Sequence, residues 1–143
     1  EMCIRDRHTI LRDSILPGLL ENLSKNIHET YPQKFFESGI VFSMGSPIKE
    51  TSSLACVIAS EETHFSEMKA VLQSLFRIGF NMKCETKTLS NHALFSQGRV
   101  AEIIVRGKTV GYIGELDSQV LENFRIRTKV VGFEIKLSGL IFD

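Results

Sequence analysis

The chain has no tryptophan, only two tyrosines and three prolines, and three cysteines among 143 residues. Cys3, Cys56 and Cys84 are odd in number and far apart, which argues against a disulfide framework and against paired zinc-knuckle spacing. A reducing, cytoplasmic setting follows, with Cys56 and Cys84 as small buried hydrophobes inside apolar or alternating runs. Net charge is lacking too: Lys plus Arg number 17 and so do Asp plus Glu. No global field therefore draws the chain to nucleic acid or to a membrane, and any such partner must meet a local patch. No stretch approaches 18 apolar residues and no secretory-type start is present, so no membrane partner is expected. Repeats and low-complexity segments are absent. The four histidines, His8, His28, His64 and His92, are scattered, and none is paired as HxxxH or HExxH. No nucleophile with a neighbouring base and orienting group is visible. We assign no catalytic, cofactor-binding or metal-ligating residue.

What is present is one domain's worth of chain with periodic apolar patterning. Residues 1–10 show no clear period and are read as a leader or a cut connection without a fold role; 11–143 form the core domain. Leu16, Leu19, Leu20, Leu23 and Ile27 lie along one side of a helix that opens at Pro17, where a missing N–H costs nothing. Lys34 to Phe42 follows as a strand, with Gly39 suggesting a bulge or a close backbone contact. Thr51 to Ser60 is a small-apolar central strand, antiparallel to the one before it. Thr63 is the expected N-cap of a second helix carrying Phe65, Met68, Val71, Leu72, Leu75 and Phe76, stopped by Gly79. His64 is read as a solvent-side or capping residue.

Phe80 to Thr88 alternates strictly and predicts a strand near a sheet edge. Leu89 to Gly98 reads as a loop, and Arg99 to Arg106 and Thr109 to Leu116 as a second hairpin turning at Gly107-Lys108. Gly107-Lys108-Thr109 imitates the end of a phosphate loop, but Glu102 stands where that motif needs its first glycine. Gly111 and Gly114 are read as close packing of a strand on a helix. Asp117 caps a short helix, Ser118 to Phe124, and Lys129 to Leu137 is a last strand. Glu37, Glu102, Glu115 and Glu134 fall on strands, as solvent-side residues or partners of arginines, since a buried carboxylate is costly unless paired. Arg125, Arg127 and Lys129 form the single basic cluster. We read them as a solvated loop, with RNA or subunit contact as the functional alternative, and no interleaved aromatics for base stacking.

Patterning alone thus predicts an α+β domain: a mixed, mainly antiparallel sheet flanked by helices. Beyond it, Leu11-Arg12-Asp13-Ser14-Ile15-Leu16-Pro17-Gly18-Leu19-Leu20 followed by Phe36-Glu37-Ser38-Gly39-Ile40-Val41-Phe42 resembles the β-subunit family of phenylalanyl-tRNA synthetases, in which an LR-x-S-LLPGLL helix precedes an FE-x-G-x-VF strand. The segments Phe65 to Gly79, Gly98 to Leu121 and Val131 to Ile135 are similar to later motifs of that family, in the same order. Because the chain ends soon after, the archaeal or eukaryotic form is expected.

The resemblance implies a class II aminoacyl-tRNA synthetase-like fold that has lost its catalytic signatures. A catalytic class II strand ends in FR-x-E, whose guanidinium forks onto the α-phosphate of ATP. Here the strand ends Val41-Phe42-Ser43-Met44, and no GxGxxxR segment follows near the end. The implied role is a non-catalytic scaffold pairing with an α subunit. That subunit attaches phenylalanine to tRNA(Phe) using ATP and Mg in a cytoplasmic α2β2 enzyme. The alternative carried forward is a small-molecule-binding or regulatory α+β module with no synthetase role.

Overall fold

The structure, a computed structural model, describes residues 11–141; the expectation for residues 1–10 lies outside them. Helix α1 (Leu16–Lys25) is followed by strands β1 (Gln33–Ser43) and β2 (Lys49–Ala59) and helix α2 (Phe65–Ser74). Then come β3 (Glu85–Leu89), β4 (Phe95–Val105), β5 (Lys108–Leu116), α3 (Ser118–Asn123), β6 (Val130–Lys136) and the single turn α4 (Ser138–Ile141). The strands form one six-stranded sheet in the order β1-β2-β6-β5-β4-β3, antiparallel at every pairing. Both expected hairpins form. The last strand enters between them, which no local pattern specifies.

Two apolar layers hold the helices to opposite faces of this sheet. On one face Leu16, Leu19, Leu20 and Leu23 of α1 meet Ala55, Val57, Val130 and Leu116. On the other Met68, Leu72 and Phe76 meet Ile58, Ile103, Ile113, Val131 and Phe133. Burying each such side chain contributes about 1.5–3 kcal/mol. Where these layers meet β2, β6 and β5 the strands are covered on both faces, and the runs 54–59 of β2 and 130–133 of β6 are correspondingly free of charged residues.

Several local expectations are corrected. Helix α1 stops at Lys25 because Asn26 closes the last turn, its N–H donating to Leu23 O and its Nδ2 to Asn22 O; Ile27 falls outside and is 40 % exposed. The residue at the N-cap of α2 is His64, exposed and without a capping side chain. Thr63 is held one position earlier by its N–H to Ser60 O, and its hydroxyl donates to Glu67 Oε2 at 3.2 Å. The alternating run Phe80 to Cys84 precedes β3 instead of belonging to it. The helix widens into a π-type turn, Leu75–Gly79, and the N–H groups of Phe80 and Met82 both turn back to Phe76 O. β3 nonetheless forms the sheet edge. β4 begins earlier than expected, at Phe95, through a register shift before Val100.

Glycine positions are decided by neighbouring backbone. A Cβ on Gly111 would collide with the main chain of Glu134 and Ile135, and one on Gly114 would lie 2.6 Å from Arg99 O. The close packing expected there is strand against strand, not strand against helix. Gly39 makes no bulge, since β1 and β2 stay in register throughout; the Arg12 guanidinium lies across it. At the β4–β5 turn Arg106 and Gly107 both have positive φ, 53° and 78°, the pair required by a two-residue hairpin turn. Gly107-Lys108-Thr109 is hairpin, not phosphate loop.

Edge strand β1 is guarded at one end by Arg12, whose O accepts from Phe42 N at 2.8 Å and whose Nε donates to Ile40 O at 3.1 Å. Its outer face stays apolar, with Phe36 77 % exposed and Ile40 48 %. Exposed apolar side chains on an edge strand favour self-association. Phe36→Lys is therefore expected to lower concentration-dependent self-association of the chain in sedimentation velocity, while its unfolding free energy changes by less than about 0.5 kcal/mol. Among the described residues, no helix is long and apolar enough to cross a membrane.

Candidate functional site

A cleft of about 500 Å³ opens where the first turn of α1 crosses the sheet, with Ser14, Pro17, Ser53, His92, Tyr112 and Glu134 among its walls. Its centre is Glu134. Alternation along β6 sends Val131, Phe133 and Ile135 into the layer under α2, so Glu134 points the other way, beneath α1. The four leading N–H groups of a helix need partners, and the residue at the N-cap, Ile15, has no side chain to supply one. Glu134 takes that place from 119 residues away. Ile15 N donates to both carboxylate oxygens at 2.9 and 3.0 Å, Leu16 N donates to Oε1 at 3.0 Å, and Ser14 Oγ donates to Oε1 at 2.7 Å. Ser53 Oγ lies 3.0 Å from Oε2 and 2.9 Å from Ile135 O, its one proton serving one of the two.

The expectation that Glu134 faces solvent or pairs with an arginine is thereby corrected: it is half-buried and bonds to a helix start. The signal for it is a carboxylate set between Phe133 and Ile135 in an otherwise apolar strand. Glu37 and Glu115 do pair with arginines, Arg12 at 2.6 Å and Arg99 at 2.8 Å; such surface pairs contribute about 0–1 kcal/mol. Glu102 stands opposite Tyr112, which in turn stands opposite Glu134. Two strand spacings, about 10 Å, separate the carboxylates, too far for a proton-sharing pair.

His92 forms another wall. Its ring sits 4.6 Å from that of Tyr112 and 5.1 Å from that of Phe95, and its Nδ1 accepts from Leu94 N at 3.2 Å, which puts the proton of the neutral ring on Nε2. Burial lowers its pKa below the usual histidine value, with the Glu134 charge opposing. A lowered folded pKa gives stability that is present above the unfolded pKa and lost as pH falls through the folded one. Unfolding midpoints are thus expected to fall from pH 7 toward pH 5, and His92→Phe to flatten that decline. A pH profile unchanged by the substitution would assign the decline to other groups.

Within the cleft Ser14 donates to Glu134 and Ser53 lies within hydrogen-bond distance of it, and this fixed carboxylate occupies the helix start, where an anion would otherwise be drawn. Ser43, at the end of β1, is exposed. Arg125, Arg127 and Lys129 lie on the connection from α3 to β6, at the far end of β6 from Lys136; Arg125 and Arg127 are exposed and Lys129 half-buried. They do not join the cleft. Burial raises the pKa of the thiols of Cys56 and Cys84, as expected of packing residues. Among the described residues no group of His, Cys, Asp and Glu is placed to hold a metal ion.

A six-stranded antiparallel sheet with a helix on each face, entered by a helix and a β-hairpin, defines the class II aminoacyl-tRNA synthetase-like fold. A pyrrolysyl-tRNA synthetase, PylSc of Desulfitobacterium hafniense, superposes with a TM-score of 0.70 over 91 % of this chain and 48 % of its own, at 17 % identity. The family model described as the phenylalanyl tRNA synthetase beta chain CLM domain matches residues 1–137. Phenylalanine–tRNA ligase beta subunits align with 41 % identity over 143 residues in Pyrococcus abyssi (96 % of this chain), 40 % over 136 in Methanocaldococcus jannaschii (91 %) and 42 % over 136 in Archaeoglobus fulgidus (95 %). The chain belongs to the phenylalanyl-tRNA synthetase β-chain family. It spans about a quarter of the length of these relatives.

Proposed function

We propose that this domain is a non-catalytic scaffold, pairing with a phenylalanyl-tRNA synthetase α subunit and holding that subunit's active site in shape. The α subunit attaches phenylalanine to tRNA(Phe) with ATP and Mg, in a cytoplasmic α2β2 assembly. The observation that carries this reading is the occupied helix start: Glu134 fills with a fixed negative charge a place where helix N–H groups would otherwise draw an anion. Ser43 supports it, standing where a catalytic relative offers a phosphate-gripping arginine. A carboxylate beneath the cleft disfavours a nucleotide's phosphates by like-charge repulsion. The uncovered apolar face of β1 also supports a domain that works inside an assembly.

The test is co-expression of the full-length β subunit with a tagged α subunit from the same source. Co-purification is expected, with ATP–pyrophosphate exchange dependent on phenylalanine only when α is present. Robust exchange by β alone sinks the scaffold reading. Thermal stabilisation by a metabolite, with no binding to α, would instead support a small-molecule or regulatory module.

A further inference from the structure

One wall of the Glu134 cleft is the turn between β3 and β4, which contributes His92, Ala93 and Leu94. Phe95 N donates to His92 O at 3.2 Å and closes this turn, and Gly98 N donates to Ser90 O at 3.3 Å across its base. Inside it, Leu94 N donates to His92 Nδ1 at 3.2 Å. A side chain that bonds to the backbone two residues on is the usual device of Asn and Asp in turns. Here an imidazole does it. The turn is tied to the next helix as well, because Leu94 O accepts from Asp117 N at 2.9 Å and Asp117 caps α3.

An imidazole differs from Asn in that it accepts only while neutral. Its neutral form here carries the proton on Nε2, so an incoming proton must go to Nδ1. That proton and the Leu94 N–H compete for the same lone pair. The imidazolium has no acceptor left, and no rotation of the ring restores one. Burial keeps the ring neutral at pH 7, and the Glu134 charge on β6 pulls the other way. The other ionisable groups lining the cleft are Asp13 before α1, the Tyr112 phenol on β5 and Lys136 at the end of β6. Of these Asp13 favours the charged ring and Lys136 opposes it.

We propose that His92 is a proton-operated latch: neutral, it holds the β3–β4 turn closed as a wall of the cleft, and protonated at Nδ1, it releases Leu94 and opens that wall. The half-buried ring receives the proton from solvent through the cleft. Opening exposes the pocket over Glu134 and loosens the start of α3 through Leu94 O, while α2, on the opposite face of the sheet, is untouched. The inference does not rest on the pairing with an α subunit.

The test is hydrogen exchange read by mass spectrometry on the full-length protein, in whatever complex it purifies. Rates are taken at about pH 7 and pH 5 and divided by the intrinsic rate at each pH. Protection of the Leu94 amide is expected to fall about two- to tenfold at the lower pH, the worth of one hydrogen bond, with no change in α2. His92→Asn offers a fixed acceptor in the same place and is expected to keep the protection at both pH values. His92→Phe offers none and is expected to show low protection at both. Native protection that ignores pH overturns the proposal, as does an Asn variant that loses protection with acid as the native protein does. An equal fall in α2 also overturns it, since the whole domain would then be opening. If His92→Phe does not fold, the comparison of native protein with His92→Asn decides alone.

Discussion

Glu134→Ala is expected to destabilise the domain by about 3 kcal/mol, because hydrogen bonds to a charged group contribute roughly 1.5–3 kcal/mol each and are not additive. The substitution leaves Ile15 N and Leu16 N, both turned toward the sheet, without an acceptor, and removes the negative charge that complements the helix start. For a chain of this length the loss corresponds to a fall in Tm of roughly 6–12 °C. Glu134→Gln keeps the shape and one acceptor oxygen, and is expected to lose about half as much. Amide exchange gives a local readout. The N–H groups of Ile15 and Leu16 should lose protection in Glu134→Ala, while those of α2, on the opposite face, change only with global stability. Unchanged exchange at Ile15 and Leu16 would mean that water replaces the carboxylate without loss.

The second large effect is expected at Gly111. Its missing side chain lets β5 approach β6 where the main chain of Glu134 and Ile135 occupies the space a Cβ would need. Backbone inside a sheet paired on both sides cannot step aside as a flexible side chain can. Gly111→Val is expected to cost at least about 3 kcal/mol, seen as a lower urea midpoint or as loss of soluble chain. It should also weaken the capture of α1, since forcing the strands apart displaces Glu134. Gly18→Ala is the control: a Cβ there meets nothing within 4 Å, and alanine within a helix is expected to stabilise by up to about 1 kcal/mol. Comparable destabilisation by both would remove the steric explanation.

What was legible in the sequence is local and periodic. The leucine stripe of α1, the stripe of α2, the Asp117 cap, which accepts from Gln119 N, and both hairpins are stated within a few residues of themselves. Short-range competition hid the rest. Asn26 closes α1 before Ile27 can join its stripe, and the carbonyl of Phe76 draws Phe80 and Met82 back to the helix although their alternation reads as strand. The site was less legible still. Glu134 looks like one more strand carboxylate until β6 slides beneath α1.

By itself, then, the amino-acid sequence determined the element types, the apolar faces, the balance of charge and the family resemblance, because each is written in spacing along the chain. Only the tertiary structure decided that the last strand lies between the two hairpins. From that single placement follow the carboxylate under the first turn of α1 and the close approach at Gly111. The physical reason is that hydrogen bonding across a sheet joins residues by strand order, and strand order is set by which apolar faces can be buried together.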